Sequence, residues 1–334
     1  MDHRVIASMK TLTVAMFVLS LPVVPVMAQS NAQTPWGHPD LQGTWTNGNL
    51  TPLQRPDDVA GKELLTSEEW AERDAVARLS DDYSPQGPVG WYNDFWLEQG
   101  ELSRKTSLIV DPSDGRLPPV TPEEQERQND RTDSYTRSHL RHGMSFDTWE
   151  DFNVYDRCIT RGLPGAMMPG FYNHNYLILQ TPDYVAIVVE MIHDVRIIPL
   201  NGHSHLSSTV QQWLGDSRGH WEGNSLVVET TNFTNKVHRR HGAFPLVVFG
   251  GDEQLRLVER FTRIDANTID YQFTVTNPTV WTAPWTAAIP MTTLEGSLYE
   301  YACHEGNYSV PNSLAGSRAE EEKTAPQSAN PESR

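Results

Sequence analysis

Between Tyr172 and Phe233 the chain is written in short apolar runs broken by turn residues, and this pattern limits its possible folds more than any other feature. Residues 176–180 and 183–192 are rich in Tyr, Val, Ile and Leu, the composition of strands rather than surface helices. Asn201-Gly202 follows the run 195–200 and precedes 203–207, and it is the strongest short hairpin signal in the sequence. Residues 224–230, 255–263 and 269–276 read as further strands. In the last, Ile269, Tyr271, Phe273 and Val275 alternate with Asp270, Gln272, Thr274 and Thr276, so one face is buried and one is wet. Residues 106–110 and 298–303 add two more. Many short strands with frequent turn signals predict an all-β barrel or sandwich. The 334 residues are ample for a single large core.

The regions around this β domain, placed at 106–313, read differently. Residues 1–28 have the form of an export signal. Arg4 and Lys10 precede an apolar run over 12–24 that is short for a membrane span, and Ala28 offers a cleavage site. The expected location is periplasmic or secreted, with no membrane insertion after signal removal. In an oxidising compartment Cys158 and Cys303, the only two cysteines, are expected to pair; two buried thiols are the alternative. The net charge of −17 disfavours nucleic acid and anionic membranes as partners. Residues 29–105 form an N-terminal elaboration. A helix over 63–80 is capped by Thr66 or Ser67, and the aromatic run 81–105 is expected to pack on the barrel. Residues 121–142 read as a solvated helix, and 314–334 as a disordered tail.

Several constellations are chemically suggestive. The central stretch holds five of the 12 histidines. On a strand, His203 and His205 would share a face and form half of a metal site, completed by His193, His220 or Glu222. An incidental His-x-His is the competing reading, and no cofactor is expected. Glu190, His193, Asp194 and Arg196 end an apolar strand. His193 or His205 would serve as a base and Arg196 as an anion stabiliser, unless these groups form a structural ion pair. The run from Asp216 to Gly223 reads as a compact turn. His304 and Glu305 follow Cys303, so a disulfide would bring a second acid/base pair beside Arg157 and Cys158. Trp91, Trp96, Trp213 and Glu190 are the expected substrate-binding residues. The sequence has no phosphate loop, CxxC or HExxH.

Gly43-Thr44-Trp45 entering a first strand resembles the lipocalin opening, where the Trp plugs one end of a barrel. Longer blocks lie at 106–116, 156–164 (DRCITRGLP), 192–200 (IHDVRIIPL), 213–223 (WLGDSRGHWEG) and 299–307 (YEYACHEGN). Through them the chain resembles a large family of secreted bacterial proteins of mostly unassigned function. The resemblance implies one lipocalin-like (calycin-type) antiparallel barrel with an N-terminal helical and aromatic elaboration. It implies no particular reaction. Relatives usually carry Gly-Arg-Pro-His where this chain has Gly202-His203-Ser204-His205, so His205 fits the pattern and His203 does not. The resulting expectation is an exported enzyme, of lyase, hydratase or hydrolase type, acting on a sugar-like or aromatic small molecule. The alternatives are a non-catalytic small-ligand binder and a cell-envelope interaction protein.

Overall fold

The alternation read at 269–276 is realised residue by residue: Ile269, Tyr271, Phe273 and Val275 are buried and their neighbours half-buried. The structure is a computed structural model that describes residues 33–80, 98, 100–129, 146–152, 154–170, 172–236 and 252–324. Among these residues there are ten strands. They are β1 (Gly43–Thr46), β2 (Ile109–Asp111), β3 (Asn175–Gln180), β4 (Tyr184–Val189) and β5 (Val195–Pro199), followed by β6 (Asp216–Glu222), β7 (Ser225–Thr231), β8 (Arg256–Arg263), β9 (Thr268–Thr276) and β10 (Trp285–Thr293). They form one sheet in the order β5-β4-β3-β1-β10-β9-β8-β7-β6, with β2 added to β10. Every neighbouring pair is antiparallel. The result is a nearly closed barrel of lipocalin type.

Nine strands that alternate in direction leave the first and last running the same way. β5 and β6 therefore cannot close the barrel by an antiparallel ladder, and a two-residue turn cannot join them. The chain uses a long crossover over 200–215 instead. The Asn201-Gly202 hairpin expected from sequence does not form, and residues 203–207 are not a strand. The barrel closes there by side-chain packing. A Cβ added at Gly219 on β6 would lie 2.7 Å from Leu200 and 2.8 Å from Ile198, so the seam closes over a glycine. The expected compact turn at 216–223 is in fact strand β6 through Glu222, and Asp216, Ser217 and Gly219 are buried in it although none is apolar.

The interior is apolar and aromatic. Phe261 stacks on Tyr271 with centroids 4.7 Å apart, and Phe273 meets Trp285 edge-on at 5.5 Å. Each such buried ring contributes roughly 1.5–3 kcal/mol relative to exposure. One end is closed by Trp45. Its Nε1 donates to Leu41 O at 2.9 Å, and the Arg263 guanidinium lies 5.5 Å from its ring while donating to Asp40 O. The other end, the mouth, is stopped by 160–168, a loop buried at every residue. There Asn47 Nδ2 donates to Met167 O at 2.8 Å and to the Tyr176 hydroxyl at 2.9 Å, and that hydroxyl donates to Ala166 O.

Helix α1 (Ser67–Ser80) starts on a reciprocal cap. Thr66 Oγ1 accepts from Glu69 N, and Glu69 Oε2 accepts from Thr66 N. A second helix, α2, covers 122–129. The expected strand at 298–303 is absent, and the last strand of the sheet is β10, which lies between β9 and β1. Its Trp285-Thr-Ala-Ala-Ile-Pro run has weak strand propensity and carried little signal. Residues 314–324, expected to be disordered, lie in helix α3 (Ser309–Thr324). It docks through Ser317, whose Oγ accepts from Phe146 N at 2.8 Å, and through Arg318, which donates to Asp147 O. Low aromatic content did not prevent a helix that needs few contacts. Among the described residues no helix is long and apolar enough to cross a membrane. The segment read as an export signal lies outside the described residues, as do 130–142 of the predicted second helix.

Candidate functional site

Backbone strain marks the mouth. Five non-glycine described residues have positive φ, and four of them, Cys158 (56°), Asn173 (53°), Ile192 (65°) and His193 (49°), lie in loops around it. The left-handed region is especially unfavourable for β-branched Ile192, and each such residue costs roughly 1–3 kcal/mol. The turn Met191–His193 is held by His193 N to Glu190 O at 3.0 Å and Val189 N to Asp194 O at 2.8 Å. Burial of Ile192, at 2 % exposure, helps to offset its conformation. Strain of this kind persists where the surroundings over-determine it, often at binding sites.

At the centre of these loops lies Arg161, only 3 % exposed. Its Nη1 donates to His174 Nε2 at 2.9 Å, and its guanidinium lies 5.5 Å from the Tyr155 ring. His174 Nδ1 donates in turn to Met168 O at 2.8 Å, which sets the neutral tautomer. Burial, reinforced by the Arg161 charge, holds the His174 pKa well below 6.5. Gly170 makes this approach possible, since a Cβ there would overlap the His174 ring. Burial also lowers the Arg161 pKa, against the opposing influence of Tyr155, Tyr176, Tyr172 and Tyr301.

Three tyrosines lie outside the arginine. The hydroxyls of Tyr155 and Tyr172 are 3.2 Å apart, and Tyr172 also hydrogen-bonds Tyr301. Tyr155 reaches Met191 Sδ at 3.5 Å. Burial, then its tyrosine neighbours, raises the Tyr172 pKa, so it stays a neutral donor. The strap carrying Tyr301 is tied down in three ways. Cys158 and Cys303 are joined by a disulfide across 145 residues. Tyr301 O accepts from His193 Nδ1 at 2.9 Å, and Asn307 Nδ2 donates to Asp156 O.

The residues expected to form the site are dispersed. Glu190 is buried beside the mouth and accepts from Asn173 Nδ2, Asn175 Nδ2 and Tyr299 N. His193 is exposed and engaged with the strap. Asp194 accepts from Thr160 Oγ1 at 2.9 Å, and its pKa is raised by burial. Arg196 points into the barrel, where its two Nη atoms pair with the Glu259 carboxylate. That ion pair takes up the group expected to stabilise a substrate anion. His205 lies on the crossover, its Nδ1 2.9 Å from Asp216 Oδ2, and no described contact joins it to the mouth cluster. His203 is not on a strand, so the expected His-x-His geometry does not arise. Among the described residues no group of three or more His, Cys, Asp and Glu is placed to hold a metal ion. The disulfide does bring His304 and Glu305 near Cys158, yet both side chains face solvent. Trp213 is half-buried near the crossover's end; Trp91 and Trp96 lie outside the described residues.

Sequence reasoning missed Arg161, His174, Tyr155, Tyr172 and Tyr301 as a group. A signal was available. Arg161 and Tyr301 fall in the blocks 156–164 and 299–307, which also contain the two cysteines. Comparison with protein-family models, with curated proteins and with solved structures finds no match for this chain.

Proposed function

We propose that this protein binds a small organic ligand at the mouth of its barrel, as a carrier or sensor rather than a catalyst. One observation carries the reading: a buried arginine set among three linked tyrosines, held by strained loops and a disulfide-tied strap. Barrels of this type commonly receive ligands at one end, with a few polar groups fixing orientation. A solution screen of small aromatic and sugar-like compounds, followed by tyrosine and tryptophan fluorescence, tests it. A saturable one-to-one binder displaced in Tyr172→Phe is the expected result. Binding unchanged by every mouth substitution would move the site elsewhere.

The enzyme reading keeps one independent footing. Buried Asp216 orients His205 through Nδ1, as a carboxylate orients a general base, and leaves Nε2 outside the described hydrogen bonds. Burial opposes but does not prevent a lowered Asp216 pKa, because Leu206 N, His205 and Arg218 favour its charged form. Turnover of any ligand from the screen, lost in His205→Gln, would support catalysis. The proposal also takes the ligand to be extracytoplasmic, following the signal-like residues 1–28 and the disulfide; N-terminal sequencing of exported protein checks that.

A further inference from the structure

A cavity of about 640 Å³ lies between helix α1 and the N-terminal loops, and it shares no lining residue with the arginine–tyrosine cluster. We infer that it is a second binding site, independent of the mouth, and that its ligand class is the short apolar peptide with both termini charged. The walls are firmly built. Leu50 N donates to Glu101 O at 3.1 Å, Leu65 N to Arg104 O at 2.8 Å and Thr106 N to Glu63 O at 3.1 Å, so three loop segments are tied side by side. Buried Val59, Leu65 and Leu102 give the cavity an apolar floor. Helix α1 covers it with Glu69, Glu72, Arg73 and Val76, which share one face at spacings of three and four. Trp70 fixes the helix to the loops, its Nε1 donating to Leu102 O at 2.9 Å. Val76 is 60 % exposed, an apolar side chain left for a ligand to cover. The volume falls in the range of small-ligand sites.

The charges on the lining select the ligand. Asp58 and Arg73 pair with each other, and Glu69 pairs with Lys62. Glu72 and Lys105 also line the cavity, and among the described residues neither is in an ion pair, with the other or elsewhere. The cavity therefore presents one uncommitted negative charge, one uncommitted positive charge and an apolar floor. A fatty acid or an apolar amine would meet only one of the two charges. A peptide of two large apolar residues meets both, its ammonium at Glu72 and its carboxylate at Lys105, with its side chains on the floor. Glu72 is exposed and Lys105 half-buried, so each contact is worth only what a solvent-screened pair gives. Apolar burial supplies most of the affinity, and the charged ends set direction and choice.

The test uses the full chain and leucyl-leucine at about pH 6.5, where both termini are charged. Affinity is read by isothermal titration calorimetry. Three control peptides each lack one element: N-acetyl-leucyl-leucine the ammonium, leucyl-leucinamide the carboxylate, and glycylglycine the apolar body. Either capped peptide is expected to bind about two- to fivefold more weakly, the worth of one screened charge pair. Glycylglycine is expected to bind more than about tenfold more weakly. Lys105→Met removes the preference for leucyl-leucine over its amide and keeps the preference over the acetylated form. Glu72→Gln does the reverse, a pattern that a folding defect cannot imitate. Equal binding of free and capped peptides, or no saturable binding of leucyl-leucine, overturns the inference. So does binding that both variants leave intact and Tyr172→Phe abolishes, which would place the peptide at the mouth.

Discussion

The pair Arg196–Glu259 offers the sharpest test of how this barrel is held together. Both side chains are at most 2 % exposed, and the carboxylate also accepts from the Tyr271 hydroxyl at 2.9 Å. Burial alone would lower the Arg196 pKa, but the adjacent Glu259 carboxylate raises it, so Arg196 keeps its charge. Arg196 Nε is buried without a hydrogen-bond partner, which leaves the network one bond short. Arg196→Met strands a buried carboxylate, and the expected loss is about 3–5 kcal/mol. For a domain of this size that is a fall in Tm of about 6–20 °C. Glu259→Gln is expected to fall in the same range. The triple variant Arg196→Met, Glu259→Leu, Tyr271→Phe removes every charge and hydroxyl together. It is expected within about 2 kcal/mol of the parent, because desolvation of the pair nearly cancels its attraction. Urea denaturation of the oxidised protein, followed by circular dichroism, measures all three. The reasoning fails if Arg196→Met loses less than about 1 kcal/mol, or if the triple variant is as unstable as the single ones; these thresholds rest on the same buried-pair energetics.

Two further outcomes follow from the mouth and the seam. His174 binds a proton near 6.5 when unfolded and well below that when folded, so its stabilising contribution is complete above pH 6.5 and is lost as pH falls. Each unit below 6.5 is expected to remove about 1.4 kcal/mol until the native pKa is reached. His174→Gln, which keeps a donor and an acceptor, should flatten urea midpoints measured from pH 7.5 to 5; an unchanged slope assigns the effect to other groups. Gly219→Ala introduces a Cβ 2.7 Å from Leu200, and overpacking of this kind costs about 1–3 kcal/mol. Adding Leu200→Ala should recover part of that loss in the same assay, and no loss in the single variant would mean that the seam is looser than described.

Much of the architecture was legible because it depends on local pattern. Period-two burial placed β9, a capping residue at Thr66 or Ser67 marked the start of α1, and the cysteine count pointed to the disulfide. The errors share a cause. Asn201-Gly202 has the chemistry of a hairpin, yet the chain there must cross to a parallel neighbour, and strand parity is a property of the whole sheet. Polar β6 looked like a turn because its buried face is completed by Ile198 and Leu200 from across the seam. For Arg196 the sequence left an anion stabiliser and a structural ion pair both open, because its partner Glu259 lies 63 residues away.

The sequence by itself determined that this would be a β-rich chain with two cysteines suited to pairing, since propensity, alternation and composition act over a few residues. Only the tertiary structure decided which polar groups became available. It buried Arg196 in an ion pair, committed His205 to Asp216 on the crossover, and set Arg161, His174 and three tyrosines together at the mouth. Those choices depend on which distant groups arrive as hydrogen-bond partners, and no local pattern encodes that.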